Sequence, residues 1–185
     1  GFDTAVNTAV WCIDNLRDTA DAMDRVFIVE VMGRHSGYLA WMVGFSIGAE
    51  EILVPESHTD IEAMRRRIFE AKERGKKSYF IIVAEGDEAG SVDQIKQKLG
   101  LQEPEFEVRT AVLGHVQRGG RPSARDRFLA QRLGYEACAA LKKGVAGMAV
   151  GVVAQDIVLT PYSDAIEKKK TFDLSLLNVA MALAR

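Results

Sequence analysis

Apolar residues along this chain follow two spacings, and the two alternate from one end to the other. Val6, Val10, Ile13 and Leu16 recur at helical spacing and predict an amphipathic helix over 4–18. The run from Val26 to Val31 is apolar and rich in β-branched residues, as in a central parallel strand. A helix over about 36–47 follows, small and apolar on nearly every face and therefore expected to be buried. Residues 52–55 read as a short strand. Thr59-Asp60-Ile61-Glu62 reads as a capping box, with Ile61, Met64, Ile68 and Ala71 lining the helix behind it. Then come strand 78–84, helix 91–99, strand 108–113, a polar loop, helix 124–142, strand 147–153 and helices 162–169 and 173–184. The longest apolar stretch, Val145 to Ala154, reads as a buried strand, and its roughly ten residues are too few to span a bilayer.

Strand and helix alternation predicts an α/β fold: a parallel sheet with helices on both faces, a Rossmann-like three-layer sandwich. No segment of 20 to 50 residues repeats. The break in character lies at Gln117 to Ser123, where Arg-Gly-Gly-Arg-Pro-Ser is a dense Gly/Pro cluster. That is a candidate domain crossing.

Composition changes this picture little. Of 185 residues 48% are apolar and the net charge is -2, which gives no support for nucleic-acid binding, so the arginines are expected to act locally. Cys12 and Cys138 sit far apart in helical patterns, as in a reduced, cytoplasmic protein. His35, His58 and His115 have no metal-ligand spacing, so no metal is expected in the active-site part of this chain. Gly1-Phe2-Asp3-Thr4 has no initiator Met and no signal core. The chain is expected to have lost an upstream part. Arg74-Gly75-Lys76-Lys77-Ser78 resembles a P-loop tail, but Glu70 stands where the loop needs glycine.

Candidate chemistry gathers where three strands end. The first stops in Met32-Gly33-Arg34, the second in Glu85-Gly86, the third in Gly114-His115 followed by Arg118-Gly119-Gly120. Each group alone could be an ordinary loop. In open α/β sheets, however, ligands bind at the carboxyl ends of strands. Arginines, a histidine and a carboxylate at three such ends suit a phosphorylated, hydroxyl-rich small molecule. Arg25 and Arg109 open strands at the opposite edge. A strand of about six residues is roughly 20 Å long, so these two face solvent or complete a site on a neighbouring subunit. Arg17, Arg74 and Lys76 also precede strands and put a basic cluster on that edge.

Two longer segments, Val29-Glu-Val-Met-Gly-Arg-His-Ser-Gly-Tyr38 and Val112-Leu-Gly-His-Val-Gln-Arg-Gly-Gly120, closely resemble 6-phosphofructokinases of the bacterial type, and the likeness extends over essentially the whole chain. The resemblance implies that Met32, Gly33, Arg34, Glu85, His115 and Arg118 hold fructose 6-phosphate within one subunit. Arg25 and Arg109 would reach the 6-phosphate from the adjacent one, and Arg34 would be catalytic. Arg17, Gly48, Glu50, Arg74 and Lys76 match the family's allosteric site for a nucleotide or phosphoenolpyruvate, with Ser78 where some members carry histidine. The family's nucleotide loop and its segment bearing the catalytic base do not occur here. The resemblance therefore implies the C-terminal part of a homotetrameric, cytoplasmic, glycolytic kinase that uses Mg²⁺ and ATP. Its expected parts are a sugar-phosphate domain (1–116 plus 168–185) and a remnant of the nucleotide domain (117–167). This chain alone is expected to be inactive. A pyrophosphate-dependent phosphofructokinase and a non-catalytic sugar-phosphate-binding regulatory module are the alternatives.

Overall fold

The computed structural model describes residues 1–18, 25–101, 105–167 and 173–183. Two compact units divide the chain: Phe2–Gly120 with Phe172–Arg185, and Arg121–Thr171 with Gly1. All the candidate site residues named above lie in the first.

That unit is built on a four-stranded parallel sheet in the order β2-β3-β1-β4, from β1 (Arg25–Val31), β2 (Glu51–Leu53), β3 (Ser78–Ala84) and β4 (Glu107–Val112). Alternate side chains of each strand face opposite layers. Phe27, Val29 and Val31, with Phe80 and Ile82, pack on α1 (Phe2–Asp18) and α2 (Tyr38–Ile47) through Val6, Ala9, Ile13, Ala40 and Val43. Val26 and Ile28, with Tyr79, Ile81 and Val83, pack on α3 (Ile61–Glu73) and α4 (Val92–Leu99) through Met64, Ile68, Ile95 and Leu99. β1 and β3 are buried on both faces, which is why they read as continuous apolar runs. The connection leaving β1 passes through the α2 layer, while that leaving its neighbour β3 passes through the α4 layer. This divergence opens a crevice at the carboxyl ends of the two strands.

Several expectations need correction. α3 is capped by Asp60, whose carboxylate accepts from Ala63 N–H at 2.9 Å. Thr59 instead donates its N–H to Glu88 Oε1 at 3.0 Å. Either residue can cap, and the bond to Glu88 commits Thr59 to the preceding loop. α2 starts at Tyr38 rather than 36 and is buried on one face only, with Phe45 and Ser46 exposed. β4 begins at Glu107, so Arg109 lies inside the strand and does not open it.

The second unit carries α5 (Ala124–Lys142), with Ser123 as its cap, then β5 (Met148–Val153), β6 (Asp156–Pro161) and α6 (Tyr162–Glu167). β5 pairs with β6 in an antiparallel hairpin, an element the apolar pattern did not announce. β5 is half-buried to exposed along its length, not the buried strand that Val145–Ala154 suggested. Phe128 and Tyr135 on α5 and Val153 on β5 are exposed. α7 (Ser175–Leu183) returns to the first unit, where Leu177 packs beside the α2 layer. Positions 168–169 and 184 of the two expected C-terminal helices lie outside the described residues.

Candidate functional site

The loops at the ends of β3, β1 and β4 are fastened to one another by main-chain hydrogen bonds. Glu85 N–H donates to Val31 O at 2.8 Å, and Leu113 N–H donates to Glu30 O at 3.0 Å. The parallel register Val31–Ala84 and Glu30–Val112 brings all three ends to one level. Met32-Gly33-Arg34, Glu85-Gly86 and Gly114–Arg118 therefore adjoin.

The first of these segments is a tight turn in which Ser36 N–H donates to Gly33 O at 3.0 Å. A Cβ on Gly33 would collide with Ser36 O. The left-handed backbone falls on Arg34, at φ 51°, rather than on the glycine. Such a conformation is uncommon for a residue with a side chain and costs on the order of 1–3 kcal/mol. Its carbonyl oxygen lies against Gly86, φ 86°, where a side chain would again collide. The guanidinium is exposed. The second loop presents Glu85, half-buried. In the third, β4 runs into a 3₁₀ turn, Gly114–Arg118, that leaves His115 and Arg118 exposed. Among the described residues no ion pair engages Arg34, His115 or Arg118.

At the opposite edge Arg25, Arg109, Lys76 and Arg17 have partners within the chain. Glu107 receives Arg25 Nε at 2.6 Å and also Nη2 of Arg109, so the two arginines share one carboxylate. These bonds, Arg25's first, hold the Glu107 carboxyl below the usual range. Lys76 is ion-paired with Glu50, whose other oxygen accepts from Phe80 N–H at 2.6 Å. Arg17 donates to Ile47 O at 2.6 Å, at the carboxyl end of α2, and its guanidinium lies 4.9 Å from the Phe80 ring centre. Gly48 caps α2 in the left-handed conformation (φ 64°, ψ 42°), as a side-chain-free residue does most readily. Arg74 ends α3 and is exposed, and Ser78 opens β3. Arg17, Gly48, Glu50 and Lys76 are thus gathered around the start of β3. Arg25 and Arg109 are not brought to Arg34. Arg25 stands at the other end of β1, and Arg109 lies two residues into β4.

The family model for phosphofructokinase matches residues 1–141. The chain belongs to the phosphofructokinase family. It is 46% identical over 188 aligned residues to the ATP-dependent 6-phosphofructokinase 1 of Thermus thermophilus, an alignment that covers 100% of this chain and 57% of that enzyme. The chain thus spans little more than half the length of such relatives. Among solved structures it superposes on the phosphofructokinase of Pichia pastoris in the T-state with a TM-score of 0.78 at 31% identity, covering 97% of this chain and 21% of the other. Superposition on the phosphofructokinase of Saccharomyces cerevisiae gives a TM-score of 0.83 at 26% identity, over 100% of this chain and 28% of that one.

Three polar residues of this chain were not singled out by sequence reasoning. Glu30 interrupts the apolar run of β1, and that interruption is its sequence signal. Burial pushes its carboxyl up, as does the charge of Glu85, while a bond from Val92 N–H opposes them. Asp87, 6% exposed, accepts from Ala89 N–H at 2.8 Å, and its Oδ2 is buried without a hydrogen-bond partner. Burial raises its carboxyl first, with Glu88 and Glu56 adding to the shift and Ala89 N–H and Lys98 opposing it. Gln117 is buried inside the segment Val112–Gly120, flanked by exposed residues that drew the attention. No group of three or more His, Cys, Asp or Glu among the described residues is placed to hold a metal ion. No helix among them is long and apolar enough to cross a membrane.

Proposed function

We propose that this chain supplies the sugar-phosphate half of an ATP-dependent 6-phosphofructokinase, which transfers a phosphoryl group from ATP to O1 of fructose 6-phosphate, giving fructose 1,6-bisphosphate, as a cytoplasmic step of glycolysis. The observation that carries this reading is the convergence of Arg34, Glu85, His115 and Arg118 on three adjacent strand ends that main-chain bonds hold in register. Residues Phe2–Gly120 with 172–185 form the sugar-phosphate domain, and 121–171 contribute to the nucleotide domain.

Arg34 stabilises negative charge on the phosphoryl group in flight, because phosphoryl transfer is catalysed mainly by positioning and electrostatics. Its left-handed turn fixes where the guanidinium starts, so less ordering is needed when substrate arrives. Met32, Gly33, Glu85, His115 and Arg118 bind the sugar phosphate. Arg25 and Arg109 serve the site of an adjacent subunit, because a seven-residue strand separates Arg25 from the site of its own chain and such a strand is roughly 20 Å long. The assembly is a homotetramer. Arg17, Gly48, Glu50, Arg74 and Lys76 bind an allosteric nucleotide or phosphoenolpyruvate. Mg²⁺ and ATP are bound by residues outside this chain. The names of relatives at 42–46% identity support ATP over pyrophosphate as donor.

The test is complementation in the full-length enzyme. Arg25→Glu subunits co-assembled with Arg34→Ala subunits place both lesions in some sites and neither in others. Activity above that of either variant is expected. Mixtures that never exceed the separate variants, with subunit exchange verified, would show that Arg25 acts within its own subunit. Arg74→Ala should blunt the effector response and leave turnover largely intact, and equal loss of both would make Arg74 a structural residue.

A further inference from the structure

Gln117 joins two of the segments that carry the site, and no chemistry assigned to the site uses it. It is 4% exposed, whereas His115, Val116 and Arg118 on the same 3₁₀ turn are exposed. A buried primary amide is costly unless its carbonyl and its NH₂ both find partners. Here Oε1 accepts from Met32 N–H at 2.9 Å and Nε2 donates to the Ala5 carbonyl of α1 at 3.4 Å. One partner is a donor and the other an acceptor, so the amide has a single satisfactory orientation.

The pairing of β1 ends at Val31 on the β3 side and at Glu30 on the β4 side. Met32 N–H is therefore the first main-chain donor past the ladder, and the Gln117 side chain takes it up. It does so from the turn that carries His115 and Arg118, while its other end is tied to α1. A single side chain thus connects the Met32-Gly33-Arg34 turn, the His115/Arg118 turn and a core helix.

We infer that Gln117 is a positioning residue: its amide sets the separation between the Arg34 turn and the His115/Arg118 turn so that both grip one sugar phosphate. The inference rests on the sugar-phosphate reading given above. Ligand-free amide exchange and ligand binding separate the two. In the 185-residue chain, Gln117→Met should raise amide exchange at Met32 by about tenfold or more while Ile81 and Ile82 stay protected. Titration with fructose 6-phosphate should then give affinity weaker by about tenfold, the effect of one lost buried hydrogen bond. Gln117→Asn keeps the amide but is one methylene too short to hold both ends, and should lose about two- to fourfold. Unchanged exchange at Met32 overturns the inference, as does undiminished affinity once Met32 has been released. Loss of protection throughout the sheet in both variants also overturns it, because Gln117 would then be a residue of the core. A wild-type chain that binds no fructose 6-phosphate, with Met32 still responding, overturns the functional reading and the positioning role together.

Discussion

The two ends of the central sheet handle charge in opposite ways. At the carboxyl ends of β1, β3 and β4, Arg34, His115 and Arg118 are exposed and form no ion pair among the described residues. At the amino edge, Arg25 and Arg109 share Glu107, Lys76 pairs with Glu50, and Arg17 is bound to a helix-end carbonyl. An anion arriving at the first region meets cations ready to bind it. At the second it must compete with carboxylates already in place. The acids differ in the same sense. Glu30 and Asp87, near the carboxyl ends, are pushed up by burial, whereas Glu107 at the amino edge is held down by its arginines. An uncommitted cation is available to an incoming anion as it stands, while a cation held by its own carboxylate must first be released from it.

The largest expected effect breaks the first region. In the full-length enzyme Arg34→Ala should lower kcat by roughly 10²- to 10³-fold, the usual loss when one transition-state donor is removed. Alanine bears the same left-handed backbone cost as arginine, so steady-state kinetics will report the guanidinium alone. A change confined to KM would remove Arg34 from the catalytic role.

Asp87 sharpens the difference in acid behaviour. Its folded-state value lies above the ordinary carboxylate value of about 4, so the folded chain binds more protons there than the unfolded one. Its contribution to stability falls as pH rises from that ordinary value through the raised one. Asp87→Asn keeps the acceptor for Ala89 N–H and removes the buried charge. Denaturant unfolding should show a gain of about 1 kcal/mol at neutral pH, shrinking to nothing near pH 4. A gain that persists in acid would mean that desolvation of the carboxylate is not the cause. Glu107 has the opposite sign: its contribution is present above the ordinary value and lost as pH falls through the depressed one.

The smallest effect concerns the amino edge. Glu107→Gln frees Arg25 and Arg109 from their shared carboxylate, an interaction that solvent and salt screen. The KM for fructose 6-phosphate should fall about two- to fivefold. A rise instead would mean that Glu107 orients the two arginines more than it competes for them.

Much of the fold was legible because burial on both faces leaves a simple trace. β1 is apolar from Val26 to Val31 apart from Glu30, β3 is apolar from Tyr79 to Ala84, and 78–84 and 124–142 were bounded to the residue. The hairpin partner β6 was not legible, because Asp156–Pro161 alternates weakly and follows a run that already read as a complete strand. The boundary of β4 was displaced by Glu107, a charged residue at a strand start that gains its place only by pairing with Arg25 across the ladder. That is a tertiary fact.

What the sequence by itself determined was the alternating α/β plan, the three strand ends and the residue types gathered there. Periodicity and strand termini are local properties, and the two glycine-bearing segments have a composition few other chemistries require. Only the tertiary structure decided which of those groups remain open and which are already paired. It put the left-handed turn on Arg34, tied Arg25 and Arg109 to one carboxylate, buried Asp87 with an unpaired oxygen and set Gln117 between Met32 and Ala5. The Arg25–Glu107 and Gln117 bonds depend on which distant group comes within hydrogen-bond reach, and partners 82, 85 or 112 residues apart in sequence leave no mark on local spacing.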